Sequence, residues 1–390
     1  MGLRTARRWR PRTARWRRRG EAGFLPCAPG AMGGRGERPA GGAGMKAGRA
    51  AFAVCGWSGS GKTTLLEAVL PELVRQGLAV AVVKHDAHGV SLDTPGKDSD
   101  RLFRAGADIC LRGPGEVAWR RRPGGATALE AVIDGLLLDH DLVLVEGHKL
   151  TPLPKVWLAH PDDSAVPAQV TAVAEWLAWG AGREERLLAR IAAWLDAAGV
   201  ERPLFGGLLV GGASRRMGRP KQLLTHGGRS LAEISVAALA PHVGEVLLLG
   251  GGEVAPALAH LRRLPDPPGV AGPLAGLLAA HRWAPEAAWL VAACDLPLVS
   301  PAAVGWLKQG RRPGRWAVVP GHGGSVEPLL AAYEPQALHW LEGEATAGRL
   351  APRVIGGHPK VATPAVGVDL AAAWTNVNTP AALAALEGEG

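Results

Sequence analysis

Short apolar runs punctuated by glycine, with helix-length amphipathic stretches between them, set the rhythm of the chain from residue 50 onward. Ala50–Val54 is continuously apolar and predicts a buried strand, followed by a glycine-rich turn and a helix over Thr63–Gln76 that Gly77 closes. Ala79–Val83 and Leu142–Val145 read as further strands, the second ended by Glu146-Gly147. From Glu184 to Leu195 apolar residues fall at Leu187, Leu188, Ile191 and Leu195, the spacing of an amphipathic helix. Gly199 is expected to end it, with Val200–Leu204 as a short linker. A second series starts at Phe205, with strands expected at Leu208–Val210, Val246–Leu249, Trp289–Ala292 and Ala317–Val319. In the first half, strands alternating with helices predict a parallel sheet covered on both faces, within an α/β fold. Two domains are expected, 49–198 and 204–390.

Composition changes this picture only at the amino terminus. The 390 residues are 47% apolar and 20% charged, as in an ordinary globular protein. Of the formal charge of +9, residues 1–48 carry +10, from eleven Arg and one Lys against Glu21 and Glu37, so the remainder sums to about −1. A basic arm can bind nucleic acid or an anionic membrane, yet this one lacks aromatic interleaving and any folding pattern. It reads as a disordered extension or a start assigned too early, since Met32 and Met45 both precede the first strand. Neither a nucleic-acid nor a membrane partner is expected, and the absence of long apolar runs predicts a cytoplasmic protein. Cys27, Cys55, Cys110 and Cys294 have no metal-ligand spacing and read as small buried apolar residues.

Gly56-Trp57-Ser58-Gly59-Ser60-Gly61-Lys62-Thr63 fits the P-loop pattern, after a strand and before a helix. Glycines at 56, 59 and 61 let backbone N–H groups curl around phosphates at a helix N-terminus. Lys62 can reach the β- and γ-phosphates, the Thr63 hydroxyl can enter a Mg²⁺ shell, and Thr64 continues the helix start. Asp141–Gly147 resembles a Walker B strand, with Glu146 at its carboxyl end near the metal. Spacing alone specifies a nucleoside triphosphate site. Lys84-His85-Asp86-Ala87-His88, Asp93–Ser99, Arg104–Ala107 and Val145–Lys149 resemble MobB, the GTP-binding accessory family of molybdopterin guanine dinucleotide synthesis. The resemblance implies GTP binding, weak hydrolysis and pairing with a guanylyltransferase. Ala87 and Gly89 depart from that family's fuller His-His-Asp cluster, and without a third ligand His85 and His88 read as structural or surface residues.

The second constellation, Leu208–Lys221, runs a strand into a glycine turn bearing Arg215 and Arg216, with Lys221 five residues beyond Arg216. That density of donors suits a triphosphate lying along a loop. Downstream stand Asp266, the helix-opening turn Gly272–Gly276, and Asp295 at the end of an apolar strand, where ligands of α/β sheets collect. A strand-end carboxylate there can hold Mg²⁺. These blocks, with Asn376-Val377-Asn378-Thr379-Pro380, resemble MobA, the molybdenum cofactor guanylyltransferases, from about residue 204 to the end. The resemblance implies a Rossmann-like nucleotidyltransferase domain following the P-loop NTPase domain. It assigns nucleotide contacts to Leu209, Val210, Gly211, Gly212, Lys221, Asp266 and Asp295, and Mg²⁺ to Asp295. Asn376 and Asn378 would border the pterin phosphate, and Arg216, Lys221 and Asp295 would be catalytic.

The expected substrates are thus GTP and molybdopterin, with Mg²⁺ as cofactor and with molybdenum-insertion proteins and acceptor molybdoenzymes as partners. Where some relatives carry a nucleotide-contacting Asn, this chain has Gly250-Gly251-Gly252, so that contact is missing or made by backbone. Gly211, where related cytidylyltransferases usually have Ala, favours guanine. A cytidylyltransferase and a non-catalytic delivery adapter remain the alternatives.

Overall fold

The computed structural model describes residues 48–85, 93–122, 129–163, 165–211 and 220–388, and the basic arm lies outside them. The first half runs β1 (Ala51–Gly56), α1 (Lys62–Arg75), β2 (Val80–Lys84), α2 (Asp98–Arg104), the hairpin β3–β4 (Ile109–Arg112, Val117–Arg120), α3 (Leu129–Leu136), β5 (Leu142–Glu146), β6 (Lys155–Leu158), β7 (Val173–Leu177) and α4 (Arg183–Glu201). Its five-stranded sheet has the order β2-β5-β1-β6-β7, and every pair is parallel. Strand alternation sends Phe52 and Val54 toward α1 and α4, and Ala51, Ala53 and Cys55 toward Ile133 of α3. Both faces are covered, which explains why β1 is apolar throughout and β5 is apolar up to its terminal Glu146.

The second half runs β8 (Leu204–Leu209), β9 (Thr225–His226), β10 (Arg229–Ser230), α5 (Leu231–Leu239), β11 (Val246–Leu249), β12 (Arg263–Leu264), α6 (Pro273–Trp283), β13 (Ala288–Ala293) and α7 (Pro301–Gly310). It continues through β14 (Ala317–Val318), β15 (Gly321–His322), β16 (Ser325–Val326), β17 (Leu330–Tyr333), α8 (Pro335–Thr346), β18 (Val361–Ala362) and α9 (Pro380–Gly388). The main sheet has the order β12-β11-β8-β13-β17-β14-β18. Helices α6 and α8 share a core on one face, and α5 and α7 share the other. Ser230 and Glu233 form a reciprocal capping box that starts α5.

Two expectations need correction, and the second sheet adds a feature the sequence did not predict. Gly199 does not end the last helix of the first half, because α4 continues to Glu201 and leaves only Arg202 and Pro203 before β8. The second sheet is mixed, since β17 runs antiparallel to both β13 and β14. Cys110 is exposed, whereas Cys55 and Cys294 are buried, and burial pushes their thiols up to about 11 and about 12.

The halves meet at the amino-terminal ends of their strands. The Asp141 carboxylate, just before β5, accepts from Ala79 N at 2.7 Å, the buried Trp316 Nε1 at 2.9 Å and Lys360 Nζ at 2.5 Å. Arg202 Nη1 and Arg311 Nε both donate to Glu334, at 2.9 and 2.6 Å. Gln336 Nε2 donates to His140 O at 3.0 Å.

Candidate functional site

Parallel register brings Gly56, Lys84 and Glu146 to one end of the first sheet. Gly59 and Gly61 have φ of 78° and 83°, the left-handed region that an L side chain resists. A Cβ on Gly56 would stand 2.5 Å from both Leu158 O and Ser60 Oγ, so only glycine fits there. Lys62 Nζ folds back onto Trp57 O at 2.7 Å, and the Thr63 hydroxyl donates to Glu146 Oε1 at 2.7 Å. The two residues expected around a metal are therefore in direct contact. Lys84 Nζ lies 3.6 Å from the same carboxylate oxygen, and Lys149 Nζ sits 3.9 Å above the Trp57 ring. Burial lowers the Lys62 pKa, Glu146 counters it and Lys149 adds to it. The buried Ser60 Oγ has no partner among the described residues.

Arg183 was not anticipated as part of this loop. From the start of α4 it donates to Ser60 O at 3.1 Å, Ala178 O at 2.7 Å and Leu177 O at 3.2 Å, fixing the rear of the P-loop. No local pattern marks it, because its loop partner is 123 residues away. The His85 and His148 rings stand 4.6 Å apart, while His88 lies outside the described residues.

In the second sheet, Leu209 aligns with Leu249 on one side and Ala293 on the other. Gly211, Gly250 and Asp295 therefore emerge together at its carboxyl edge. Lys221 Nζ donates to Asp295 Oδ2 at 3.0 Å and to Asn378 Oδ1 at 2.5 Å. Asn378 Nδ2 in turn donates to Asn376 Oδ1 at 2.7 Å, and Val377 N donates to Asp295 O at 2.9 Å. The carboxyl-terminal motif is thus tied directly to the strand-end aspartate. Asp266 Oδ1 lies 3.6 Å from where a Cβ on Gly250 would stand, and partial desolvation raises its pKa. A Gly250 Cβ would stand 2.3 Å from Val210 O, so the glycine turn packs directly on the nucleotide strand. Gly250 N and Gly252 N are taken by Leu264 O and Val210 O, which leaves neither as a free donor to a ligand. Arg216 and Gly212 lie outside the described residues.

A cleft of about 200 Å³ opens beside Asp295, lined also by Asn376, Trp374, Glu327 and Arg353. Sequence reading passed over Glu327 and Arg353, which belong to no motif. A larger cavity of about 970 Å³ is lined by Asp141, Leu204, Arg202 and Glu334. It lies at the amino-terminal ends of β5 and β8, opposite to where ligands of α/β sheets bind.

Fold and sites define a nucleotide-binding α/β protein, a P-loop domain joined to a nucleotidyltransferase. Residues 51–176 match the family described as molybdopterin guanine dinucleotide synthesis protein B, and residues 206–359 match the MobA-like NTP transferase domain. A probable molybdenum cofactor guanylyltransferase of Pelotomaculum thermopropionicum is 34% identical over 185 residues, which span 46% of this chain and 89% of the relative. A molybdopterin-guanine dinucleotide biosynthesis adapter protein of Escherichia coli is 34% identical over 138 residues, spanning 32% of this chain and 76% of that protein. The adapter of the same description from Haemophilus influenzae is 39% identical over 118 residues, 29% of this chain, and the chain spans 65% of its length. The chain belongs to the molybdenum cofactor guanylyltransferase family through its second half and to the MobB adapter family through its first.

Proposed function

We propose that the second half transfers GMP from GTP to molybdopterin with release of pyrophosphate, while the first half binds GTP as an accessory domain. The contact of Lys221 with both Asp295 and Asn378, beside the open start of the Gly211 loop, is the observation that carries this reading. A terminal phosphate oxygen of the pterin forms a bond to the α-phosphorus of GTP. The bond from that phosphorus to the oxygen bridging toward the β-phosphate breaks, and pyrophosphate leaves. The nucleophile is already anionic, so the site needs no general base. Positioning and charge neutralisation supply the rate.

Asp295 uses Oδ2 for Lys221, and Oδ1 has no partner among the described residues. One strand-end carboxylate, completed by phosphates and water, is a donor set that suits Mg²⁺. Bound there, Mg²⁺ would neutralise the triphosphate. Lys221 offers its ammonium to the departing pyrophosphate, helped by Arg216 and the backbone at Gly212 on the preceding loop. Leu209, Val210, Gly211 and Asp266 hold the nucleoside, and Asn376 and Asn378 face the acceptor in the adjoining cleft. Nothing among the described residues lies within 4 Å of where a Cβ on Gly211 would stand. Its φ of 159° is one that L side chains rarely adopt, and the missing Cβ also leaves room for close approach of a purine.

In the first half, Gly56, Gly59, Gly61, Lys62 and Thr64 cradle the phosphates of a second GTP. Thr63 and Glu146 address its Mg²⁺. Molybdenum-insertion proteins and acceptor molybdoenzymes are the proposed recipients of the product. No helix among the described residues is long and apolar enough to cross a membrane.

The test is incubation of the protein with molybdopterin and each NTP in turn, reading product mass. A GMP adduct formed from GTP alone is expected. A CMP adduct would establish the cytidylyl alternative, and no adduct with any nucleotide would establish the delivery adapter.

A further inference from the structure

Helices α6 and α8 pack side by side over the core of the second half, with Leu274, Leu277 and Leu278 against Leu338 and Leu341. Near the carboxyl end of α6, three side chains with metal-binding chemistry meet. His281 comes from α6, while His339 and Glu342 lie three residues apart on α8 and so share one face. One donor atom from each lies within 4.8 Å of the other two.

His281 is only 4% exposed, and its Nδ1 is buried without a partner among the described residues. Its Nε2 stands 3.7 Å from Glu342 Oε2, beyond hydrogen-bonding distance. A buried imidazole nitrogen without a partner, as Nδ1 is here, is a desolvated polar group that folded proteins seldom tolerate. The His339 ring lies 5.8 Å from that of His281, and His339 Nε2 is 3.9 Å from Asp139 Oδ1. Glu342 Oε1 accepts from Arg282 Nε at 2.7 Å, which orients the carboxylate and leaves Oε2 turned to His281.

We propose that His281, His339 and Glu342 form a divalent transition-metal site, best suited to Zn²⁺, that clips α6 to α8. Two imidazoles and one carboxylate are donors that zinc accepts readily, with water or Asp139 in the fourth position. Zinc bonds of about 2.0–2.2 Å require the donors to close by roughly 1 Å, within reach of side-chain rotation. The Arg282 contact is the kind of outer partner that fixes a ligating carboxylate. The site is separate from the transfer chemistry. Pro273, at the start of α6, lines the cleft beside Asp295, and His281 lies eight residues further on, roughly 12 Å along the helix. The metal is therefore structural, and the inference does not depend on which nucleotide is transferred.

Untagged full-length protein is stripped with a chelator, equilibrated with Zn²⁺ and desalted; bound metal and thermal midpoint are then measured. The partly exposed ligands are varied, His339→Gln and Glu342→Gln, because changing the buried His281 endangers folding. The wild type is expected to retain one equivalent that both variants lose, with affinity reduced roughly 100-fold or more. Zinc should raise the midpoint of the wild type only, and the metal-free midpoints should agree within a few degrees. Co²⁺ in place of Zn²⁺ should give the visible bands of a four-coordinate site in the wild type alone. Equal zinc retention by wild type and variants would place the metal elsewhere, for instance at His85 and His148, and overturn the proposal. No retention by the wild type would overturn it as well.

Discussion

Asp295→Asn keeps the volume of the side chain and removes its charge. The residue sits at a strand end facing a cleft, its side chain 17% exposed, so the fold should survive. Lys221 would lose its ionic partner while keeping Asn378. A preorganised electrostatic contact typically contributes about 100- to 1000-fold in rate, and we predict at least that loss of transfer at saturating Mg²⁺. GTP binding at the P-loop, measured in the same variant, should be unchanged. Near-normal transfer would remove Asp295 from the mechanism. At this scale, legibility followed sequence distance. Gly56 to Thr63 are contiguous, and their chemistry could be read from spacing. Lys221 and Asn378 are 157 residues apart, so only resemblance to a family could pair them in advance. Arg183 had neither a local pattern nor a motif to announce it.

Helix α4 shows where element boundaries escaped the pattern. Gly199 looked like a terminator, yet it lies inside the helix, exposed, with no positive φ and nothing within 4 Å of an added Cβ. Gly199→Ala should therefore stabilise the protein by about 0.4–1 kcal/mol, chiefly by restricting the unfolded chain. An unchanged or lower denaturation midpoint would mean that the glycine serves the cavity it lines. Long continuous apolar strands such as β1, β5 and β13 were legible because burial on both faces leaves no polar positions. β6 was not, since it opens with the buried Lys155, whose ammonium is satisfied by Thr151 O at 2.7 Å and Thr171 O at 2.5 Å. Leu330–Tyr333 of β17 is four residues of Leu, Ala and Tyr, a run too short to distinguish strand from helix by period.

The Glu334 clamp at the joint carries a pH dependence. Burial raises its pKa, but Arg311 and Arg202 outweigh burial and hold the carboxyl below its ordinary value. A depressed folded pKa contributes stability that is complete above the unfolded value, about 4.3, and is lost as pH falls through the folded one. Glu334→Gln should flatten the acid limb of the stability curve below about pH 4.3, seen by denaturant titration at several pH values. An acid limb identical to that of the wild type would show that other carboxylates dominate it.

The joint also decides how the two nucleotide sites communicate. Both sheets meet at their amino-terminal strand ends, through Asp141, Trp316, Lys360, Arg202 and Glu334. Each candidate site lies at the opposite end of its sheet, with β5 running from the joint to Glu146 and β8 from the joint to Leu209. A strand of that length is roughly 17–20 Å, so among the described residues neither site supplies a side chain to the other. Lys62→Ala removes the lysine proposed to contact phosphate at the P-loop without touching Asp141 or anything bonded to it. GTP binding to the first half should weaken, while guanylyl transfer by the second half should fall about twofold at most, an expectation that follows from the absence of shared contacts. One route for coupling runs through β5 into the Asp141 carboxylate. It would show as equal loss of transfer in Lys62→Ala and in Asp141→Asn. Loss in the first variant of the same size as in Asp295→Asn would make the two sites one catalytic unit and refute the separation argued from the joint.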